Sequence, residues 1–544
     1  MIKKKKVVFA SLFLLFNAIS LSQPRAKYRP FDWLLFKEPG NISSLSEGYE
    51  YLYIGTSHGG IYRYSLYSNQ YDFPITTAQG LNDNRITSVY FDHNTGIIWA
   101  SSPGFIQYSY TREGDWRYVD FKDIGLRNYD IISQIGSSQN YVWLKANTVY
   151  IKLDKSSGIL AGIYPRPDEL DIKWSSGVYS QYNEIGDIIN NYTIMSGWMA
   201  SGSKLIDSYG RYIDITCGLI GKHNDVWIGS SDGTLFHGNK TMEAIFPTGF
   251  GIRGSNISSL FFDDDYLWIG SKGYDIGRGV TRLNTRNFQT DHYDFDITVN
   301  MNLTEVHSIY NFDNNLWLGG DGVVLVFDRD ENYWRTLGVD RGIPESDITS
   351  MVGDSNFIWI GSYYGIRQID RSSMREEPMG FEYLFYNHPV FDLEINKFGV
   401  WIASRTGVYI YDKDNPQIMN ALSIGISYLD FPISTITSIF QNKNIMYFAT
   451  NIGVVTFDLD EQVWDMMIPA SEYRMLKVSD MLVIGKYCFL GTDQGLFRIN
   501  LKTHRLREYS FDFIGSVNSL AYMDKFIWIG TSEGLLRFKW RKDL

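Results

Sequence analysis

One short block of residues recurs along the whole of this chain. An aromatic, an aliphatic, a glycine, a serine or threonine and a closing glycine appear as YIGTSHG (53–59), WIGSSDG (227–233), WIGSYYG (359–365), WIASRTG (401–407) and WIGTSEG (528–534). Weaker copies start at Trp99, Trp143, Trp198, Trp268, Trp317, Tyr447 and Phe489, which makes twelve. Tyr53 and Trp528 stand 475 residues apart, so the mean step is about 43. A period of this size marks stacked supersecondary units, each too small to bury its own apolar face. Only Trp143–Trp198–Trp227 is uneven, with steps of 55 and 29. Together they span two ordinary periods, so the expectation is one distorted unit and none lost.

A second signature precedes the block: GLNDNRITSV (80–89), GIRGSNISSL (251–260) and GIPESDITSM (342–351), with partial copies near 125–132 and 435–439. Turn residues feeding an alternating run read as the start of a strand. Another alternating run follows the block, as in GVYIYDKD (407–414) and GLFRINLK (495–502). The unit is therefore four short strands, A to D, with no helix. Four strands, this period and an aromatic–glycine signature predict a β-propeller blade. The 33 Phe, 38 Tyr and 15 Trp beside 49 Gly fit strands, tight turns and rings packed between blades.

The expected fold is all-β: a propeller of about twelve four-stranded blades. The last copy reaches Leu544 without a strand D, while an alternating segment at 31–36 precedes the first copy. That segment is expected to supply the missing strand and hide a sheet edge. Twelve blades in one ring leave a wide centre, since common propellers hold roughly four to eight. Two tandem six-bladed rings are the expectation, with seven plus five, or one large ring, as alternatives. The boundaries drawn are 1–22 for a signal peptide, 23–287 for the first propeller and 288–544 for the second, with 288–295 as the closing strand of the latter.

Residues 1–22 carry Lys3 to Lys6, an apolar run VVFASLFLLF and then small residues at Ala18, Ser20 and Ser22, the pattern of a secretory signal. No later segment approaches 18 consecutive apolar residues, so a mature chain without a membrane span is expected, exported to the periplasm or cell surface or secreted. Fifty basic against 61 acidic side chains give −11, which tells against nucleic acid as a partner. Two cysteines, Cys217 and Cys488, exclude a disulfide scaffold and read as small buried hydrophobes.

The pairing of GLNDNRITSVYFD with WIGTSEGLLRF resembles the two-component regulator propeller repeat. That repeat fills extracellular sensors of bacterial hybrid sensor kinases, usually as two tandem rings. The likeness covers essentially the whole mature chain. It departs from the sensors in that no juxtamembrane domain, transmembrane helix or kinase follows the last blade, so the relay function is not expected here. Stand-alone exported propellers of the same type serve as accessory parts of cell-surface secretion systems. Both comparisons act at the level of fold.

No catalytic residue, metal site or cofactor is expected. Three blocks match G-x-S-x-G around Ser57, Ser231 and Ser532, but they sit between strands and recur at the blade period, so a turn explains them. The eight histidines show no metal-ligand spacing. The acid run Asp263 to Asp265 reads as a solvated turn rather than a calcium loop. Binding is the better reading. In a propeller the B–C turns and D–A connections share one rim, and the candidate ligand-binding residues there are His58, Tyr274, Asp275, Arg278, Tyr363, Tyr364 and Arg405, with the long loop 272–279 foremost. Tyr and Arg on a rim suit stacking on sugar rings or anchoring a protein loop. The expected function is a non-catalytic binding or scaffold protein of the periplasm or cell surface, recognising a glycan or an envelope protein. The alternatives are an accessory subunit of an envelope secretion system and a propeller polysaccharide lyase or hydrolase.

Overall fold

The computed structural model describes residues 28–544 apart from 112–113, 177–183, 273–278, 296–298, 300–302 and 304. The signal segment 1–22 lies outside the described residues. Among the described residues the strands make eleven sheets, each built on four strands that pair antiparallel. Blades 1 to 4 span 42–75, 88–120, 132–164 and 212–248. Blades 5 to 10 span 256–294, 306–337, 348–376, 390–420, 438–469 and 478–509. Blade 11 joins 517–538 to the N-terminal strand Trp33–Phe36. No helix among the described residues is long and apolar enough to cross a membrane.

The repeated letters have separate physical tasks. The innermost strand A opens with a bulge, as between Ile42 and Ser44, Ile257 and Ser259, and Ile348 and Ser350. The hydroxyl on the bulged residue donates to the first carbonyl of the next blade's strand A: Ser43 to Ile86, Ser258 to Val306 and Thr349 to Val390 at 2.6 Å, and Thr437 to Val478 at 2.8 Å. The glycine of the block faces that same neighbour. A Cβ on Gly361 would lie 2.8 Å from Val390 Cγ1, and one on Gly491 2.6 Å from Val517 Cγ1. The serine or threonine that follows closes the B–C turn, as Ser404 does on the Gly407 carbonyl and Thr531 on that of Gly534, both at 2.9 Å. The closing glycine takes a left-handed backbone, φ +142 at Gly407 and +138 at Gly534. The tryptophans at 99, 143, 227, 268, 317, 359, 401 and 528 are all buried.

The same contacts count the blades in each ring. They run from blade 5 through to blade 11 and then return: Asn518 donates to the Ile257 carbonyl at 2.8 Å, and a Cβ on Gly530 would meet Ile257 Cγ2 at 2.7 Å. Seven blades thus close one ring. Gly229 of blade 4 stands against Ile42 of blade 1, 2.6 Å from a built Cβ to Cγ2, so blades 1 to 4 make a smaller ring. Trp33–Phe36 pairs with Leu535–Phe538, as the sequence leads one to expect, and Trp33 stacks on Phe538 at 3.7 Å. Because this strand precedes blade 1, the smaller ring is inserted between the closing strand of the larger ring and the rest of it. Where the rings meet, Arg537 lies over the rings of Phe73 and Phe288. Burial pushes its pKa down to about 10.

The arrangement departs from two six-bladed rings split at 287. Thr290–Asp294 is strand D of its own blade, paired with Gly279–Asn284, and does not close a second ring. The seven of the seven-plus-five alternative is present, but four blades accompany it. The copy at Trp198 forms no blade, because 29 residues before Trp227 leave no room for three further strands and their turns. A wedge stands in its place, and it contains a helix where none was expected. Lys173–Trp174 pairs with strand A of blade 3. The helix Glu184–Asn191 lays Ile185, Ile188 and Ile189 on Val226, Ile228 and Phe236 of blade 4, covering the face a neighbouring blade would cover. The hairpin Met199–Ser201 and Lys204–Ile206 prolongs the sheet through Tyr212–Ile220, and Trp198 packs edge-on against Phe236.

Candidate functional site

The B–C turns and D–A connections do share one rim. Gly60 N–H donates to Asn84 O, Gly322 N–H to Ser346 O and Arg405 N–H to Pro389 O. The serines of the three G-x-S-x-G copies lock this junction: Ser57 accepts from Asn41 N–H at 2.9 Å, and Ser231 and Ser532 accept from Asp214 and Ser516 N–H at 3.1 Å. Ser57 Oγ also meets His58 Nδ1 at 3.0 Å, so these adjacent side chains do face each other. Among the described residues no carboxylate pairs with His58. Asp263 and Asp265 are taken by Arg329 at 2.8 Å and Arg286 at 2.7 Å.

Of the residues singled out from sequence, Tyr274, Asp275 and Arg278 lie outside the described residues. His58 is exposed on the smaller ring, away from the others. Tyr363 and Tyr364 on blade 7 and Arg405 on blade 8 are exposed neighbours on the larger ring. Further exposed rings lie in the two D–A connections that follow, Tyr383 and Tyr386 between blades 7 and 8, and Tyr428 and Phe431 between blades 8 and 9, where Tyr428 N–H donates to Trp464 O at the outer edge of blade 9. Tyr383 is 74% exposed, Tyr386 68%, and Tyr428 and Phe431 66% each. The segments interlock: Gly365 abuts Phe385, Tyr363 packs edge-on against Phe391, and Arg405 is held between Pro389 and Thr435. The aromatic content of these two connections is itself visible in the sequence, outside the B–C turns.

Beside Tyr363 lies a cluster that spacing along the chain does not disclose. His307 Nε2 is 2.7 Å from Asp321 Oδ1 and 3.9 Å from Asp347 Oδ1, and its Nδ1 is 3.7 Å from Glu305 Oε1. Burial disfavours the charged imidazole, but Asp321, Glu305 and Asp347 outweigh it and raise its pKa. Tyr363 is pushed up by burial and then by Asp347 and Glu305. The clue in the sequence is a departure from the repeat: the bulge position holds Ser43, Thr87, Ser258, Thr349 and Thr437 in five blades, but His307 in blade 6, as it holds Phe391 in blade 8 and Asn518 in blade 11.

The two channels differ. The smaller ring opens at the rim into a funnel of about 570 Å³ lined by Ile42, Ile86, Ile131, Ile215, Thr87 and Ser133. Ser175 and Ser176 of the wedge cross its floor, bonded to Ile135 O at 2.8 Å, Leu45 O at 3.0 Å and Ser88 Oγ at 3.3 Å. In the larger ring Asp392 and Asp480 accept the backbone N–H of Ile439 and Leu520 at 2.7 Å, each fastening the next blade. Crowding by the inner strands raises Asp392 to about 6, and Glu394 and Asp480 to about 7.

No family model matches this sequence, and no curated protein matches it. Among solved structures the chain is similar to PorZ, described as an essential bacterial surface component of the type-IX secretion system of Porphyromonas gingivalis. The identity is 12% and the TM-score 0.53, over 93% of this chain and 87% of that one. The extracellular domain of the putative hybrid two component system BT4673 from B. thetaiotaomicron aligns over 91% of this chain and 70% of that one, at 14% identity and a TM-score of 0.43. The WD40 domain of Neurospora crassa Pan2 aligns over 52% of this chain and 89% of that one, at 11% identity and a TM-score of 0.38. At this identity the likeness to PorZ establishes the fold: the chain is an all-β propeller protein.

Proposed function

We propose that this protein is an exported, non-catalytic propeller scaffold that binds a protein or glycan of the cell envelope through the aromatic rim of its larger ring. The observation that carries the reading is the group of exposed rings Tyr383 and Tyr386 on the connection between blades 7 and 8, with Tyr363, Tyr364 and Arg405 on the adjoining turns. Rigid two-torsion rings give large contact area at small entropic cost, and their hydroxyls supply direction. The G-x-S-x-G serines are committed to backbone N–H groups, which supports a role without acyl chemistry. A second reading, an accessory part of an envelope secretion machine, is supported by the likeness to PorZ along 93% of the chain. The test is capture from an envelope extract and binding to a glycan array, with the wild type beside a Tyr364→Ala/Tyr383→Ala/Tyr386→Ala variant. The variant is expected to lose the retained partner with its melting temperature unchanged. Equal retention by both proteins refutes the rim as the site, and a captured secretion component favours the second reading.

A further inference from the structure

We infer that His307, Asp321 and Asp347 form a binding site for a divalent transition metal ion, zinc by its ligand chemistry, on the rim of the larger ring. The three ligand atoms come from separate places in the repeat: the bulge of strand A in blade 6, the B–C turn of the same blade, and the residue before strand A of blade 7. They all lie within 4.8 Å of one another, so displacements below about 1 Å bring them to the ~2.0–2.2 Å at which imidazole and carboxylate bind zinc.

Two observations separate this cluster from an ordinary group of surface acids. The first is the position of the histidine. In blades 1, 5, 7 and 9 the bulged residue is Ser43, Ser258, Thr349 or Thr437, and its hydroxyl clasps the next blade. At blade 6 the next residue, Ser308, makes the clasp alone, its Oγ donating to Ile348 O at 3.0 Å, the bond that Ser259 adds to that of Ser258 in blade 5. The position of His307 is thereby released from holding the ring, and its imidazole turns to the two aspartates.

The second observation is the support around the ligands. Asp321 and Asp347 form an isolated backbone bridge, which holds the two carboxylates in register. Glu305 Oε1 lies 3.7 Å from the other ring nitrogen of His307, an ion-pair distance that a small shift closes to a hydrogen bond, and Glu305 is itself tied to Lys272 at 3.1 Å. A carboxylate behind a ligating histidine orients the ring and strengthens it as a donor. One imidazole among the donors selects zinc or its neighbours over calcium and magnesium, which take oxygen. Three protein ligands at a solvent-facing rim leave the fourth tetrahedral position to water or to a donor from outside.

The site is tested on the full untagged chain after chelation and dialysis. Zinc alone is titrated by calorimetry, and cobalt alone is followed by its visible absorption. One ion per chain is expected, with a tetrahedral cobalt spectrum. Asp347→Asn and His307→Ala, checked for an unchanged circular-dichroism spectrum, should each bind at least tenfold more weakly. Glu305→Gln should weaken binding by about 10–100-fold, the usual effect of losing an outer carboxylate. No uptake by the wild type overturns the inference, as does uptake of undiminished affinity by Asp347→Asn and His307→Ala. Asp347 is 42% exposed, so its variant tests the site even where the His307 variant does not fold.

Discussion

Single residues of the repeat carry a blade-to-blade contact each, and their worth is measurable. Gly530 and Gly361 face the first aliphatic residue of the next blade, leaving no room for a methyl group. Gly530→Ala and Gly361→Ala are each expected to cost roughly 1–3 kcal/mol, read as a lowered denaturant midpoint with an unchanged slope. Asp392 and Asp480 make a different kind of contact. Their folded pKa values, about 6 and about 7, stand above the ordinary carboxylate value, so between about pH 4 and 7 the native ring holds protons that the unfolded chain has released. Their contribution is therefore full in acid and is lost as pH rises through 6 to 7. Asp392→Asn and Asp480→Asn should flatten the fall in melting temperature across that window. An unaltered slope in the double variant refutes this assignment.

At the scale of elements, two segments complete what the repeat leaves open. Trp33–Phe36 closes the larger ring, and Trp33 is fully buried against Phe538. Trp33→Ala is expected to cost about 3–5 kcal/mol in a chemical-denaturation experiment, the usual range for a large aromatic removed from a core. The helix Glu184–Asn191 replaces a missing blade, with Ile189 1% exposed. Ile189→Ala should cost about 2–5 kcal/mol. Met199, 59% exposed on the nearby hairpin, should tolerate the same change within about 0.5 kcal/mol.

For the whole molecule, the insertion of the four-bladed ring between closing strand and seven-bladed ring ties the two together through the N-terminal strand. No disulfide contributes: Cys217 and Cys488 are free and buried, in different rings. Burial raises both thiols, Cys217 to about 12. The melting temperature should be the same with and without reductant, and a thiol reagent should label neither cysteine until the protein is denatured. Labelling of the native protein would contradict the packing around them.

What the amino-acid sequence determined by itself is the blade. Tryptophan, glycine and serine at fixed offsets act on neighbours one strand or one blade away, so the strands, the turns, the shared rim and the N-terminal closing strand were all legible before any coordinates. The number of blades per ring was not, because ring closure pairs residues such as Asn518 and Ile257, 261 positions apart, and no local pattern encodes which blade meets which. The Trp198 copy misled for the same reason: its letters match the motif, but only the space between blades 3 and 4 decided that a helix and a hairpin would fill it. The candidate sites divide likewise. Tyr363, Tyr364 and Arg405 could be named from their turns, whereas their placing beside the connection that carries Tyr383 and Tyr386 required that connection to pack on Gly365 and Arg405. His307, Asp321 and Asp347 lie up to 40 residues apart and meet only because the ring brings the edge of one blade against the turn of the one before.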